Sequence, residues 1–215
     1  MNQVLADAPS TPSPFSKPGD PAWEVALLFP RQGEWTEEAY LALDTNRLVE
    51  LSNGCLEVLP VPTIAHQWLA GVLFKRLDAF VSAQAMGHAF FAPLPVRLGS
   101  DHYREPDVVY LSTARLKRHK KYPQGADLVM EIVSPGDENR RRDLQIKRKE
   151  YAAAGIAEYW IVDPEAGTIT VLALKGKTYR KHGSFGIGEI ATSVLLPGFS
   201  VEVAPLFGAV EHLDE

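Results

Sequence analysis

Residues 127–135 read DLVMEIVSP, and the types at Leu128, Val129, Met130, Ile132 and Val133 are those that pack in a sheet inside a protein. Strand alternation puts Asp127, Val129, Glu131 and Val133 on one face and Leu128, Met130 and Ile132 on the other. A carboxylate at Glu131 in such surroundings either loses hydration at a cost or takes up a proton, unless something compensates its charge. The question is what Glu131 faces.

Upstream, REPDVVYL (104–111) is also strand-like, with Asp107 on the face of Val109 and directly after Pro106, which favours a strand start or an edge. The polar connection TARLKRHKKYPQGA joins it to the 127–133 strand, and strands joined in this way are usually neighbours. Asp107 and Glu131 are therefore expected to converge. Paired carboxylates in a half-buried site repel unless one is protonated or a cation lies between them, and hard oxygen ligands suit Mg²⁺ or Mn²⁺. The alternative is that arginines such as Arg97 or Arg104 neutralise each of them.

Downstream, DENRRRDLQIKRKEYAAAG (137–155) predicts a helix that Asp137 can cap and Gly155 can end. At 100° per residue Arg140, Asp143, Leu144, Lys147, Tyr151 and Ala154 share a sector, whereas Arg141, Arg142, Arg148 and Lys149 point elsewhere. Lys147 is the basic residue on the apolar stripe. It is placed either to reach the carboxylates or to snorkel, with its stem on the core and its head in water.

The remaining signals mix strands and helices. WTEEAYLAL has a Thr cap and acidic first-turn residues. RLVELSNGCLEVLP is a hairpin about Asn53-Gly54 that, if those two residues form the loop, sets Glu50 opposite Glu57, a repulsive pair that calls for either a cationic partner or a different register. TIAHQWLAGVLFKRLDAFVSAQ is apolar around most of its circumference, as a helix packed on a sheet would be, and places His66 with Leu69, Leu73 and Leu77. On that spacing His66 reads as a hydrogen-bonded core histidine. FFAPLPVRLG, EYWIVDP, TITVLAL, GKTYRKHGSF and IATSVLLPGFSVEV supply further strands, with a hairpin at Glu165-Ala166-Gly167. The class is α/β or α+β with a central mixed sheet.

The chain of 215 residues, 46% hydrophobic and 23% charged, is sized for one domain with a real core. Residues 1–33 carry Pro9, Pro12, Pro14, Pro18, Pro21 and Pro30 among small polar residues and are expected to form a flexible arm, leaving 34–215 as the domain. The net charge of -5 argues against bulk electrostatic coating of nucleic acid. Local basic clusters remain, at Arg115, Lys117, Arg118, Lys120 and Lys121 and at Arg140, Arg141 and Arg142. The last three, at a helix start, suit a phosphate partner. A single cysteine, Cys55, and the lack of a membrane-spanning or secretory stretch lead to a cytoplasmic expectation.

The ordered set VELSNGCLEV, His66, REPDVVYL, EIVSP, the helix carrying Asp143, Lys147 and Tyr151, and GIAEYWIVDP resembles the Uma2 family of endonucleases, within the PD-(D/E)XK nuclease superfamily. The likeness covers about residues 34–207. It implies a restriction-endonuclease-like mixed central sheet flanked by helices, Mg²⁺ or Mn²⁺ as cofactor, and hydrolysis of phosphodiester bonds. Asp107 corresponds to the aspartate of the PD element, Glu131 to the acid of the second element, and the backbone carbonyl of Ile132 to a further metal ligand. Val133 stands where the superfamily has its lysine, and Lys147 is similar to the lysine relocated to the next helix. Glu50 falls where the family also carries a glutamate and is a candidate ligand. His66, Asp143 and Tyr151 are expected as supporting residues.

The expected substrate is nucleic acid, DNA ahead of RNA, cut by an endonuclease with no covalent intermediate. Two other readings keep the fold: a nucleic-acid-binding module that does not cut, and an interaction protein, dimeric through exposed strands.

Overall fold

A computed structural model describes residues 28–45, 47–118 and 121–210. The order is α1 (Glu37–Leu41), β1 (Val49–Ser52), β2 (Cys55–Val58), α2 (Ile64–Ala83), β3 (Gly87–Phe91), β4 (Val96–Gly99), β5 (His102–Arg104), β6 (Val108–Ser112), α3 (Thr113–Leu116), β7 (Leu128–Ile132), α4 (Asp137–Arg141), a π-helical stretch (Arg142–Ile146), α5 (Lys147–Ala153), β8 (Glu158–Asp163), β9 (Thr168–Lys175), β10 (Thr178–Phe185), β11 (Ile190–Thr192), β12 (Ser200–Glu202) and α6 (Val203–Gly208).

The central sheet has six strands in the order β10-β9-β8-β7-β6-β3. β7 and β8 run parallel and every other pair is antiparallel. β7 is buried at every position, which is why its sequence is apolar on both faces. Leu128, Met130 and Ile132 pack with α2 residues Leu69, Leu73 and Leu77 and with Val201 and Leu206 on one side. Val129 and Val133 pack with Tyr151, Ala152 and Ile156 on the other. The alternation read from the sequence thus assigns both faces correctly.

A second sheet, of order β2-β1-β5-β4, carries a separate small core of Trp35, Tyr40, Val49, Leu51 and Tyr103. The REPDVVYL run is divided between the two sheets. β5 ends at Arg104, β6 begins at Val108, and Pro106, with no N–H to give to a ladder, stands in the gap. The β1–β2 hairpin has the expected register, Ser52 opposite Cys55 and Glu50 opposite Glu57. Asn53 (φ 50°) and Gly54 (φ 76°) make the turn, as this pair does in two-residue hairpin loops. Gly54 is required there also because a Cβ would stand 2.6 Å from the Gly33 carbonyl oxygen.

Of the expected arm, residues 1–27 lie outside the described residues; at its end Gly33 N donates to Gly54 O at 2.7 Å, and Gln32 pairs with the Leu56 backbone at 2.7 and 3.0 Å. Asp137 does not cap its helix; Gly136 (φ 93°) occupies the cap without a side-chain bond, and Asp137 is the first helical residue. Among the described residues no helix is long and apolar enough to cross a membrane.

Candidate active site

β6 and β7 pair with Val108 opposite Met130 and Val109 opposite Val129, so one further step sets Asp107 opposite Glu131. Both carboxylates stand at the same end of this pair and line one narrow cleft, with about 30 Å³ of free volume. Ile132 N donates to Asp107 Oδ2 at 2.7 Å, which fixes the aspartate across the strand gap. His66 Nε2 lies 3.3 Å from the same oxygen. The core-histidine expectation is therefore corrected: α2 aims His66 at the cleft, while Leu69, Leu73 and Leu77 fill the core.

Glu131 is 3% exposed and receives Lys147 Nζ at 3.0 Å and the Tyr151 hydroxyl on Oε1. Lys147, itself 2% exposed, also lies 3.4 Å from Glu50 Oε1 and 3.6 Å from Asp143 Oδ1. Burial alone would lower the lysine's pKa, but Glu131, Glu50, Asp143 and Asp107 outweigh it and raise it. These carboxylates favour the ammonium form of Lys147, a donor. Burial pushes Glu131 the other way; Lys147 opposes this, Asp107, Asp143 and Glu50 add to it, and the carboxyl ends well above its ordinary range.

Among the described residues Asp107 pairs with His66 and Glu131 with Lys147, and neither is paired with an arginine, in contrast to the neutralised-carboxylate alternative. Arg97 pairs with Glu37 at 2.9 Å. Arg104, fully buried, is held by Glu50 at 2.7 Å, Glu57 at 2.6 Å and Glu150 at 2.8 Å. The cation demanded by the Glu50–Glu57 pairing is thus Arg104.

The same network engages Glu50, the glutamate that the family resemblance offers as a ligand. Its Oε2 is taken by Arg104, its Oε1 accepts from Glu105 N at 2.9 Å, and it does not line the cleft. Burial would raise its pKa, yet Lys147 and Arg104 hold it down. It is a counter-charge that fixes Lys147 from behind.

Asp143 lies on the cleft wall, with Oδ2 3.4 Å from Ser134 N and Oδ1 3.4 Å from Arg142 Nε. Arg142 was placed away from the apolar stripe by the uniform 100° spacing. The π-helical stretch that begins at this residue changes the spacing and turns Arg142 onto the cleft. No glycine or proline marks that widening in the sequence.

The other basic residues are arranged differently from the expectation. The β6–β7 connection leaves the end of β6 that carries Ser112, whereas Asp107 is at its start, about 15 Å away along five strand residues. Arg115 and Arg118 line a shallow hollow at that far end. Arg115 is already engaged, by Gln124 O at 2.7 Å and Asp127 Oδ1 at 3.1 Å. Lys117 is exposed, Lys121 sits 5.0 Å over the Tyr122 ring, and Lys120 lies outside the described residues. Arg140 is bound at both ends of its fork by Asp163, at 3.0 and 2.7 Å, and by Glu165 at 3.0 Å, so it is not waiting for a phosphate. Arg141 is exposed.

One residue on the cleft was not singled out from the sequence. Glu105, 8% exposed, precedes Asp107 by two positions and lines the same cleft. Burial and the Glu50 charge push its carboxyl up to about 7, with Tyr40 and Lys147 pulling the other way. The available signal was the two-residue spacing in Glu105-Pro106-Asp107.

A mixed sheet carrying two carboxylates at adjacent strand ends, with a lysine entering from the following helix, defines a nuclease-like fold of the restriction-endonuclease type. The family model for Uma2, described as "Putative restriction endonuclease", matches residues 37–204, and the chain belongs to this family. The fold is also similar to a crystal structure from Anabaena variabilis ATCC 29413, described as a putative nuclease belonging to DUF820, with a TM-score of 0.68 and 19% identity over 80% of this chain and 97% of that one. No curated protein matches.

Proposed function

We propose that the protein is a metal-dependent endonuclease that hydrolyses phosphodiester bonds in nucleic acid, DNA in the first place. The observation that carries this reading is the pair Asp107 and Glu131, side by side on one cleft, neither paired with an arginine among the described residues, with the Lys147 ammonium group on Glu131.

The donor set fits a hard divalent cation. Four carboxyl groups (Glu105, Asp107, Glu131, Asp143) line the cleft beside His66, Arg142 and Lys147, and oxygen donors of this kind suit a hard divalent ion, whose charge would favour their ionised forms. Among the described residues no three His, Cys, Asp or Glu side chains form a ready-made cage. Mg²⁺ needs none, since it is commonly held by one or two carboxylates, water and substrate phosphate. Asp107 and Glu131 would hold it, with the carbonyl of Ile132. When bound, the ion supplies charge for the scissile phosphate and a more acidic water.

The chain's own groups do the rest. Ile132 N and His66 keep Asp107 oriented. Tyr151 and Lys147 hold Glu131 in one rotamer. Lys147, as an ammonium group, would donate to the attacking water or to the developing phosphate charge. Arg142, at the cleft rim, is placed to meet a phosphate oxygen.

The test is incubation of the purified protein with single- and double-stranded DNA and RNA in Mg²⁺, Mn²⁺ or EDTA. Cutting that depends on the divalent ion supports the reading. Tight retention of nucleic acid without cutting, under all metal conditions, replaces it with a silent binding module.

A further inference from the structure

We infer that Glu105 is the third carboxylate of the cation site, holding the ion through a bridging water, in the place that the family resemblance gives to Glu50. This rests on the metal-dependent reading of the cleft and adds a residue to it.

Glu105 is 8% exposed, and its Oε2 is buried without a hydrogen-bond partner. Its other oxygen is little better served. Tyr40 OH is 3.4 Å from Glu105 Oε1 but 2.9 Å from Val49 O, and a phenol has a single proton to give. A buried carboxylate with one shared, long contact is costly unless a cation compensates it. Lys147, the nearest ammonium on the cleft, is already surrounded by Glu131, Glu50 and Asp143.

The backbone explains why Glu105 reaches the cleft and Glu50 does not. Glu105 and Asp107 flank Pro106 in the gap between β5 and β6, and both line the cleft, Glu105 also lining the neighbouring hollow with Tyr40. The Glu105 N–H meanwhile ties Glu50 Oε1 at 2.9 Å, and Arg104 ties Oε2 at 2.7 Å. One glutamate thus anchors the wall while the other is left with an unused oxygen. The cleft has about 30 Å³ of free volume, about the share of one water molecule in the liquid.

The experiment is calorimetric titration of Mn²⁺ into the full chain and into the Glu105→Gln, Glu105→Asp and Asp107→Asn variants, each first checked for native circular dichroism. Wild type binds one ion; Glu105→Gln weakens binding about 10- to 100-fold, the size expected for an outer-shell partner; Glu105→Asp recovers part of it. Unchanged Mn²⁺ affinity in Glu105→Gln, with Asp107→Asn strongly impaired, overturns the role of Glu105 and leaves the metal reading intact. No Mn²⁺ binding by wild type overturns both. If Glu105→Gln fails to fold, the Glu105→Asp affinity decides: equal to wild type, it contradicts the inference.

Discussion

The Lys147 ammonium nitrogen lies 3.0 Å from Glu131 Oε1, with both side chains buried and joined from different elements of the fold. The lysine comes from α5 and the glutamate from β7, so the pair ties the helix to the strand end where Asp107 also stands. Lys147→Met keeps the apolar stem and removes the donor. Cleavage is expected to fall by roughly 10²–10³ in kcat, the scale of losing one preorganised charge donor. Single-turnover rates at saturating nucleic acid measure it, and a loss confined to KM contradicts a role in the chemical step.

Arg104 is the structural counterpart of that lysine. Its guanidinium is fully buried and contacts Glu50, Glu57 and Glu150, so Arg104→Met removes the cation shared by three carboxylates and leaves buried Glu50 with Lys147 alone, 3.4 Å away. A destabilisation of about 3–5 kcal/mol is expected. Thermal unfolding followed by circular dichroism checks it, with a fall in Tm of roughly 6–20 °C for a chain of this size.

Acid sensitivity follows from Glu150. Burial alone raises its pKa, but the His102 ring, with Nε2 3.4 Å away, and the hydrogen bonds from Arg104 outweigh burial and hold the carboxyl at about 2. The folded value lies below the ordinary glutamate value near ~4.3, so this stabilisation is complete above that pH and is lost as pH falls toward about 2. Glu150→Gln is expected to lower stability at pH 7 by about 1–2 kcal/mol, allowing for solvent screening. The gap from wild type should narrow as pH falls from about 5, and a gap that is constant with pH contradicts the assignment.

The two ends of the β6–β7 pair separate the arginines. Arg142 lines the cleft and Arg115 is bound to Asp127 at the far end. Arg142→Ala should weaken binding of a DNA duplex and reduce the slope of log K against log salt by about 1, the signature of one lost phosphate contact. Arg115→Ala should leave affinity and slope unchanged while costing some stability. Fluorescence anisotropy across a salt series distinguishes them, and equal effects contradict the cleft as the phosphate-binding face.

Which faces meet which cores followed from alternation, because β7 is covered on both sides and its period of two is unambiguous. The convergence of Asp107 with Glu131 followed from a single connection between neighbouring strands. Three features lay beyond such rules. The π-helical stretch at 142–146 has no breaker residue to announce it, so Arg142 was assigned to the wrong face. The position of Arg115 depended on which strand ends the connection joins, a matter of topology and not of charge. Glu50 and Glu105 are both acidic and close to Arg104 in space, and only the hydrogen bonds from Glu105 N and Arg104 distinguish the anchor from the free carboxylate.

The most direct check is the cleavage rate of a labelled DNA duplex in Mg²⁺ and in EDTA, with wild type and Asp107→Asn purified side by side and both shown to be folded. The expected result is cutting by wild type in Mg²⁺ alone and a loss of at least ~10³-fold in the variant. Equal cutting by the two proteins, or undiminished cutting in EDTA, contradicts a divalent ion held between Asp107 and Glu131.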